Sequence, residues 1–111
     1  ASNLSIYFLI HLSETLGFGL QGVYTESTPI LDVKEGQFVK EKPLHPYFLE
    51  GIEAQTASQF MSLQFYNDLE NIQLNGQQRK KILELFQLSL SWHYKGFKEI
   101  KSLPILQAVL H

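Results

Sequence analysis

The sequence predicts a mostly α-helical fold, a small helical bundle carrying one inserted short β-hairpin. Three observations lead there. Apolar residues recur at helical spacing over Leu4–Leu16 and again from Gly76 to Tyr94. The intervening stretch from Gly17 to Pro46 is broken by glycine and proline and holds a brief apolar–polar alternation. The chain has 111 residues, 44% of them hydrophobic and 13% aromatic, with no cysteine, so one core without disulfide staples is expected.

Each element has its own sequence logic. Leu4 to Leu16 is apolar almost all round, which predicts a buried helix, and Gly17 and Gly19 supply a left-handed stop. Leu31 and Val33 alternate with Asp32 and Lys34, and Lys34-Glu35-Gly36 forms a three-residue turn. Phe38-Val39 then returns as the second strand of a bulged hairpin. Leu44-His45-Pro46-Tyr47 is extended or turned, because a residue before proline is pushed out of the helical region. A second helix is expected from Gln55 to about Gln64, burying Ala57, Phe60, Met61 and Leu63; Phe65 to Leu74 is ambiguous. Asn75 and Gln78 have capping-box spacing at the head of the long helix. In that helix Ile82, Phe86 and Leu90 form one stripe and Leu85, Leu88 and Trp92 another, so packing on two sides is expected, with Gly96 as the stop. Ser102 should cap a short last helix with Pro104 in its first turn.

Several chemistries have no support. Without cysteine there is no thiol nucleophile and no cysteine zinc ribbon. No apolar run approaches the roughly 18 residues of a membrane span, and no signal peptide is expected from the opening residues. The opening at Ala1, with helical periodicity from Leu4, suggests a domain excised from a longer protein. Gly17-Phe18-Gly19 follows a helix and not a strand, so it reads as a helix stop and not as a dinucleotide loop. His11, His45, His93 and His111 show no ligand spacing. A small enzyme centred on His45 stays open as an alternative, but no companion nucleophile or paired carboxylate accompanies it.

Charge is unevenly spread. Residues 1–78 hold three lysines against nine acids, a net of −6; residues 79–111 hold five lysines and one arginine against two glutamates, a net of +4. Two basic groups result, Arg79, Lys80 and Lys81 at the start of the long helix and Lys95, Lys98 and Lys101 beyond its end. The first group opposes the helix dipole, which a phosphate, an acidic peptide or merely solvent can compensate. Both groups are candidate partner or nucleic-acid contacts, with a solvated face as the plain alternative. The long helix is too apolar to lie in a DNA major groove.

The run Gly76-Gln77-Gln78-Arg79-Lys80-Lys81-Ile82-Leu83, the cluster Trp92-His93-Tyr94 and the segment Ile100-Lys101-Ser102-Leu103 together resemble the C-terminal end of the RecO family of recombination mediators. Ile30-Leu31-Asp32-Val33-Lys34-Glu35-Gly36-Gln37-Phe38 and Pro43-Leu44-His45-Pro46-Tyr47 resemble the segment that a cysteine-free branch has in place of a zinc ribbon. Leu16-Gly17-Phe18 is similar to the end of the first helix of that domain. The resemblance implies that residues 1–111 are one C-terminal helical domain with an insertion at about 17–46 and that an N-terminal OB-fold domain is missing. It implies a non-enzymatic, cytoplasmic role in DNA repair and recombination. The implied partners are the tail of single-strand-binding protein, RecR and single-stranded DNA, in support of RecA loading and strand annealing. No catalytic residue and no cofactor comes with it. The family's four-cysteine zinc site has no counterpart here, so Leu31, Val33, Phe38 and Val39 must hold the hairpin by packing. A generic helical protein-interaction domain of another family is the alternative.

Overall fold

The computed structural model describes residues 3–63, 66–101, 103–104 and 107–108. Helix α1 (Asn3–Thr15) leads into an irregular stretch and three short strands, β1 (Ile30–Asp32), β2 (Gln37–Val39) and β3 (Phe48–Leu49). Helix α2 (Gly51–Ser62), a 3-10 helix (Tyr66–Asn71), α3 (Gly76–His93) and α4 (Phe97–Lys101) follow. The architecture is mostly α, as expected, with a small antiparallel sheet of order β2-β1-β3.

Helix ends follow local chemistry. At the end of α1, Gly17 takes φ +88°. Its N–H bonds the Glu14 carbonyl while Phe18 N–H reaches back to Ser13, a Schellman closure. At the head of α3, Asn75 Oδ1 accepts from Gln78 N at 2.8 Å and Asn75 N donates to Gln78 Oε1 at 3.1 Å, completing the capping box. Gly96 has a different role from the one expected. Its φ is not positive among the described residues, and a Cβ there would lie 3.1 Å from the Tyr94 ring. The glycine makes room for that ring between α3, capped by Tyr94, and α4. Ser102 lies outside the described residues.

The core joins Ile6, Leu9 and Ile10 of α1 to Ile82, Phe86 and Leu90 of α3, with Ala57 and Phe60 of α2 and Leu31, Val33 and Leu49 from the sheet region. Three expectations need correction. First, α1 is not buried all round: Leu4 is 49% exposed, and full burial is confined to the face of Ser5, Ile6, Leu9 and Ile10. Second, α2 begins at Gly51, four residues before Gln55, and its wholly buried residues include Ala54, Thr56 and Ser58, while Met61 and Leu63 are half-buried. Third, the second stripe of α3 is only partly covered, with Leu85 packed against the core. The stripe of Ile82, Phe86 and Leu90 is buried, but Leu88 and Trp92 are 36% and 39% exposed.

The insertion also differs from a simple hairpin. Asp32 pairs with Gln37, so the turn is four residues, Val33 to Gly36, with Gly36 at φ +77°. A third strand, β3, lies beyond the expected boundary at residue 46 and pairs Leu31 with Leu49. β1 is therefore central, and all three of its residues are buried, Asp32 included. The alternation of a two-stranded hairpin is lost because β3 and the loop before it cover what a lone hairpin leaves in water.

Candidate functional site

The first basic group is committed within the molecule. Arg79 Nε donates to Asn3 Oδ1 and its NH2 to the Leu74 carbonyl, each at 3.1 Å. Asn3 in turn donates to the carbonyls of Leu69 and Ile72. The guanidinium thus ties the start of α3 to the start of α1 and the end of the 3-10 helix. Lys80 pairs with Glu84 one turn on at 3.9 Å, and Lys81 pairs with Glu53 of α2 at 3.3 Å. Of the three cations that oppose the α3 dipole, Lys80 and Lys81 face glutamates of the chain itself, while Arg79 is held by a neutral amide oxygen and a carbonyl.

The second group is placed differently. Lys98 and Lys101 lie one turn apart on α4 and line a shallow groove between α3 and α4 of about 310 Å³. Leu88 and Phe97 supply its apolar surface, and Glu84 and Ser91 lie along it. Lys95 is exposed but not part of this lining. Among the described residues none of the three forms an ion pair. The exposed Leu88, read from the sequence as core, becomes part of a surface that faces cations. Phe97 escaped sequence reading because it follows the glycine expected to end the structure locally. The spacing of Phe97, Lys98 and Lys101 is the signal that could have shown a further helical turn.

A second surface forms where the insertion meets the end of α3. Lys34, Glu35, Tyr47, Trp92 and His93 line an open cleft of about 530 Å³. Tyr47 meets Trp92 edge-on, ring centroids 4.9 Å apart and planes at 74°, while Phe18 stacks on His93 at 5.2 Å. Tyr47 is held there through His45. His45 Nδ1 accepts from Tyr47 N at 3.0 Å, so its Nε2 carries the proton and donates to Asp32 Oδ1 at 2.9 Å. The same Asp32 oxygen accepts from Glu35 N at 2.9 Å, and the Asp32 carbonyl accepts from Gly36 N. Both ring nitrogens of His45 are therefore engaged in bonds within the fold. Sequence reading found His45 without its companion; a buried aspartate inside an apolar strand was the available clue, since such a group needs a partner.

Among the described residues no three His, Cys, Asp or Glu side chains gather as a metal-binding group, and no described helix is long and apolar enough to cross a membrane. Fold and surface define a small helical module with a hydrogen-bonded strand insertion and, among the described residues, open clefts of mixed apolar and charged lining. Sequence comparison gives this module its relatives. The DNA repair protein RecO of Azobacteroides pseudotrichonymphae genomovar. CFP2 is 30% identical over 108 residues, and the DNA repair protein RecO of Christiangramia forsetii is 26% identical over 108 residues. Each match covers 97% of this chain and 44% of the relative, so the chain spans less than half the length of the curated relatives it matches. The resemblance to RecO proteins read from the residues is thereby shown over nearly the whole chain. No family model matches the sequence, and no solved structure matches the fold.

Proposed function

We propose that this chain serves DNA repair and recombination as a non-enzymatic, zinc-free binding module in the cytoplasm, and that its α3–α4 groove holds the acidic, apolar-ended tail of single-strand-binding protein. The observation that carries this reading is the meeting of Lys98 and Lys101, which form no ion pair among the described residues, with an apolar floor of Leu88 and Phe97 in one groove. An anionic peptide with an apolar end needs both: ammonium groups for its carboxylates and a notch that removes its last side chain from water. The basic group at the start of α3 is the weaker candidate, since Arg79 is consumed in hydrogen bonds and Lys80 and Lys81 already face glutamates. The similarity to proteins named DNA repair protein RecO supports the wider role. RecR and single-stranded DNA as further partners, and support of RecA loading and strand annealing, belong to the same reading through that similarity. The engagement of both His45 nitrogens supports the non-enzymatic part.

The test is titration of a fluorescent acidic tail peptide into the chain. A dissociation constant near 1 μM, about −8 kcal/mol, is expected for so small a contact. Binding should weaken as salt rises, because exposed charges are screened within about 10 Å at 0.1 M. Lys98→Glu with Lys101→Glu should abolish it, and Lys80→Glu with Lys81→Glu should leave it nearly unchanged. Equal loss from both pairs, or no binding at low salt up to about 1 mM, refutes the assignment of the groove.

A further inference from the structure

The cleft at the end of α3 differs from the α3–α4 groove in being walled by aromatic rings, with one lysine and one glutamate in its lining. Its walls are the rings of Tyr47 and Trp92, nearly perpendicular, with Trp92 well exposed. Glu35, exposed, stands on its rim. Trp92 and His93 are the last residues of an 18-residue helix, where the aligned peptide dipoles leave about half a negative charge. We infer that this cleft is a binding site for a cationic side chain, an arginine guanidinium presented by a basic, flexible protein segment.

Three terms favour that occupant. The indole face carries negative quadrupolar charge and is the best aromatic partner of a cation. Glu35 lines the same cleft and offers a carboxylate with which a guanidinium can pair. The α3 terminus adds a fixed negative field within the last turn. Lys34 is the cation on the rim and Lys95 lies two residues beyond His93; both are exposed, on long stems that can turn into solvent, whereas the rings and the helix end are fixed. The same balance disfavours nucleic acid. Strand-binding surfaces join stacking rings to a positively charged groove, and here phosphates would meet Glu35 and the carbonyl end of α3. Tyr47 is aimed by the His45 bond to its backbone N–H, so the corner is built before any ligand arrives.

Trp92 is the one tryptophan of the sequence, so its emission reports this cleft alone. The experiment titrates the 111-residue chain with acetyl-Gly-Arg-Gly-Arg-Gly amide, and separately with its glutamate counterpart and with oligothymidine. A saturable emission change with the arginine peptide is expected, and none with the glutamate peptide. Glu35→Gln should weaken binding about three-fold. That variant keeps the fold, because the hydrogen bond from residue 35 to Asp32 comes from its backbone N–H. Trp92→Ala, followed through the amide resonances of Lys34 and Glu35, should remove binding. The inference is overturned by no saturable change up to about 10 mM peptide, by unchanged affinity in both variants, or by oligothymidine binding more tightly than the arginine peptide. The probe is basic and the readout is Trp92, so failure here is distinct from failure of the acidic-tail groove.

Discussion

Replacing His45 with alanine removes one side chain that joins two segments, the end of β1 and the loop before β3. Two hydrogen bonds go at once, from Nε2 to Asp32 Oδ1 and from Tyr47 N to Nδ1. Asp32 is 5% exposed and keeps the bond from Glu35 N, but its second strong donor is lost in a place water reaches poorly. A hydrogen bond to a charged group contributes about 1.5–3 kcal/mol and an ordinary one about 1 kcal/mol. The ring stack of His45 on Tyr47, centroids 5.8 Å apart, is lost as well. Some water will enter beside Asp32 and offset part of this, so a net destabilisation of about 2–4 kcal/mol is expected. Urea unfolding followed by Trp92 emission and by far-ultraviolet circular dichroism measures it. His45→Gln, which keeps a donor near the Nε2 position, should recover part of the loss, and Asp32→Asn combined with His45→Ala should cost less than the sum of the two. A loss below about 0.5 kcal/mol for His45→Ala would show that the clamp carries no weight in the fold.

Three other outcomes follow from the packing. Phe86→Ala, at a site 3% exposed in the centre of the core, should lower stability by about 3–5 kcal/mol in urea unfolding. Arg79→Lys keeps the charge but not the fork that reaches Asn3 and Leu74; a loss of about 1–2 kcal/mol is expected, with acidic-peptide affinity unchanged. Gly36→Ala should cost about 1–2 kcal/mol from its left-handed backbone alone, since the added Cβ would meet nothing closer than Leu20 Cδ2 at 3.9 Å.

What could be read in advance was whatever depends on neighbours in sequence. The stop at Gly17 and the capping box at Asn75 and Gln78 are local devices, each closed within four or five residues, and both stand where the sequence puts them. The stripe of Ile82, Phe86 and Leu90 is legible because one face of a long helix must meet the core. The second stripe misled because apolar character fixes that a residue can be buried, not that a partner exists to bury it; no element covers Leu88 or Trp92 fully. β3 was missed because two residues carry no period, and its strand character comes from pairing with β1 some seventeen residues earlier. The basic run at Arg79 was legible as charge but not as function. Its partners, Asn3 and Glu53, are brought to it by the tertiary fold.

The insertion illustrates why apolar packing alone was too little to expect. Leu31, Val33 and Phe38 are buried as anticipated, and their transfer from water drives the segment onto the helices. That force is non-directional: it rewards area removed from water and says little about which residue of a three-residue strand faces which. Strands of three, three and two residues have few ladder bonds with which to choose. Asp32 supplies the missing direction. One carboxylate oxygen binds the turn through Glu35 N and the distant loop through His45, and the same residue's carbonyl binds Gly36 N. A register slip of one residue would carry that carboxylate to the opposite face of the sheet and break both side-chain bonds together. Because His45 also fixes the backbone of Tyr47, the choice of register is passed on to the ring that packs against Trp92. A single polar pair at the centre of the insertion therefore sets both the alignment of the sheet and the shape of the surface it presents beside α3.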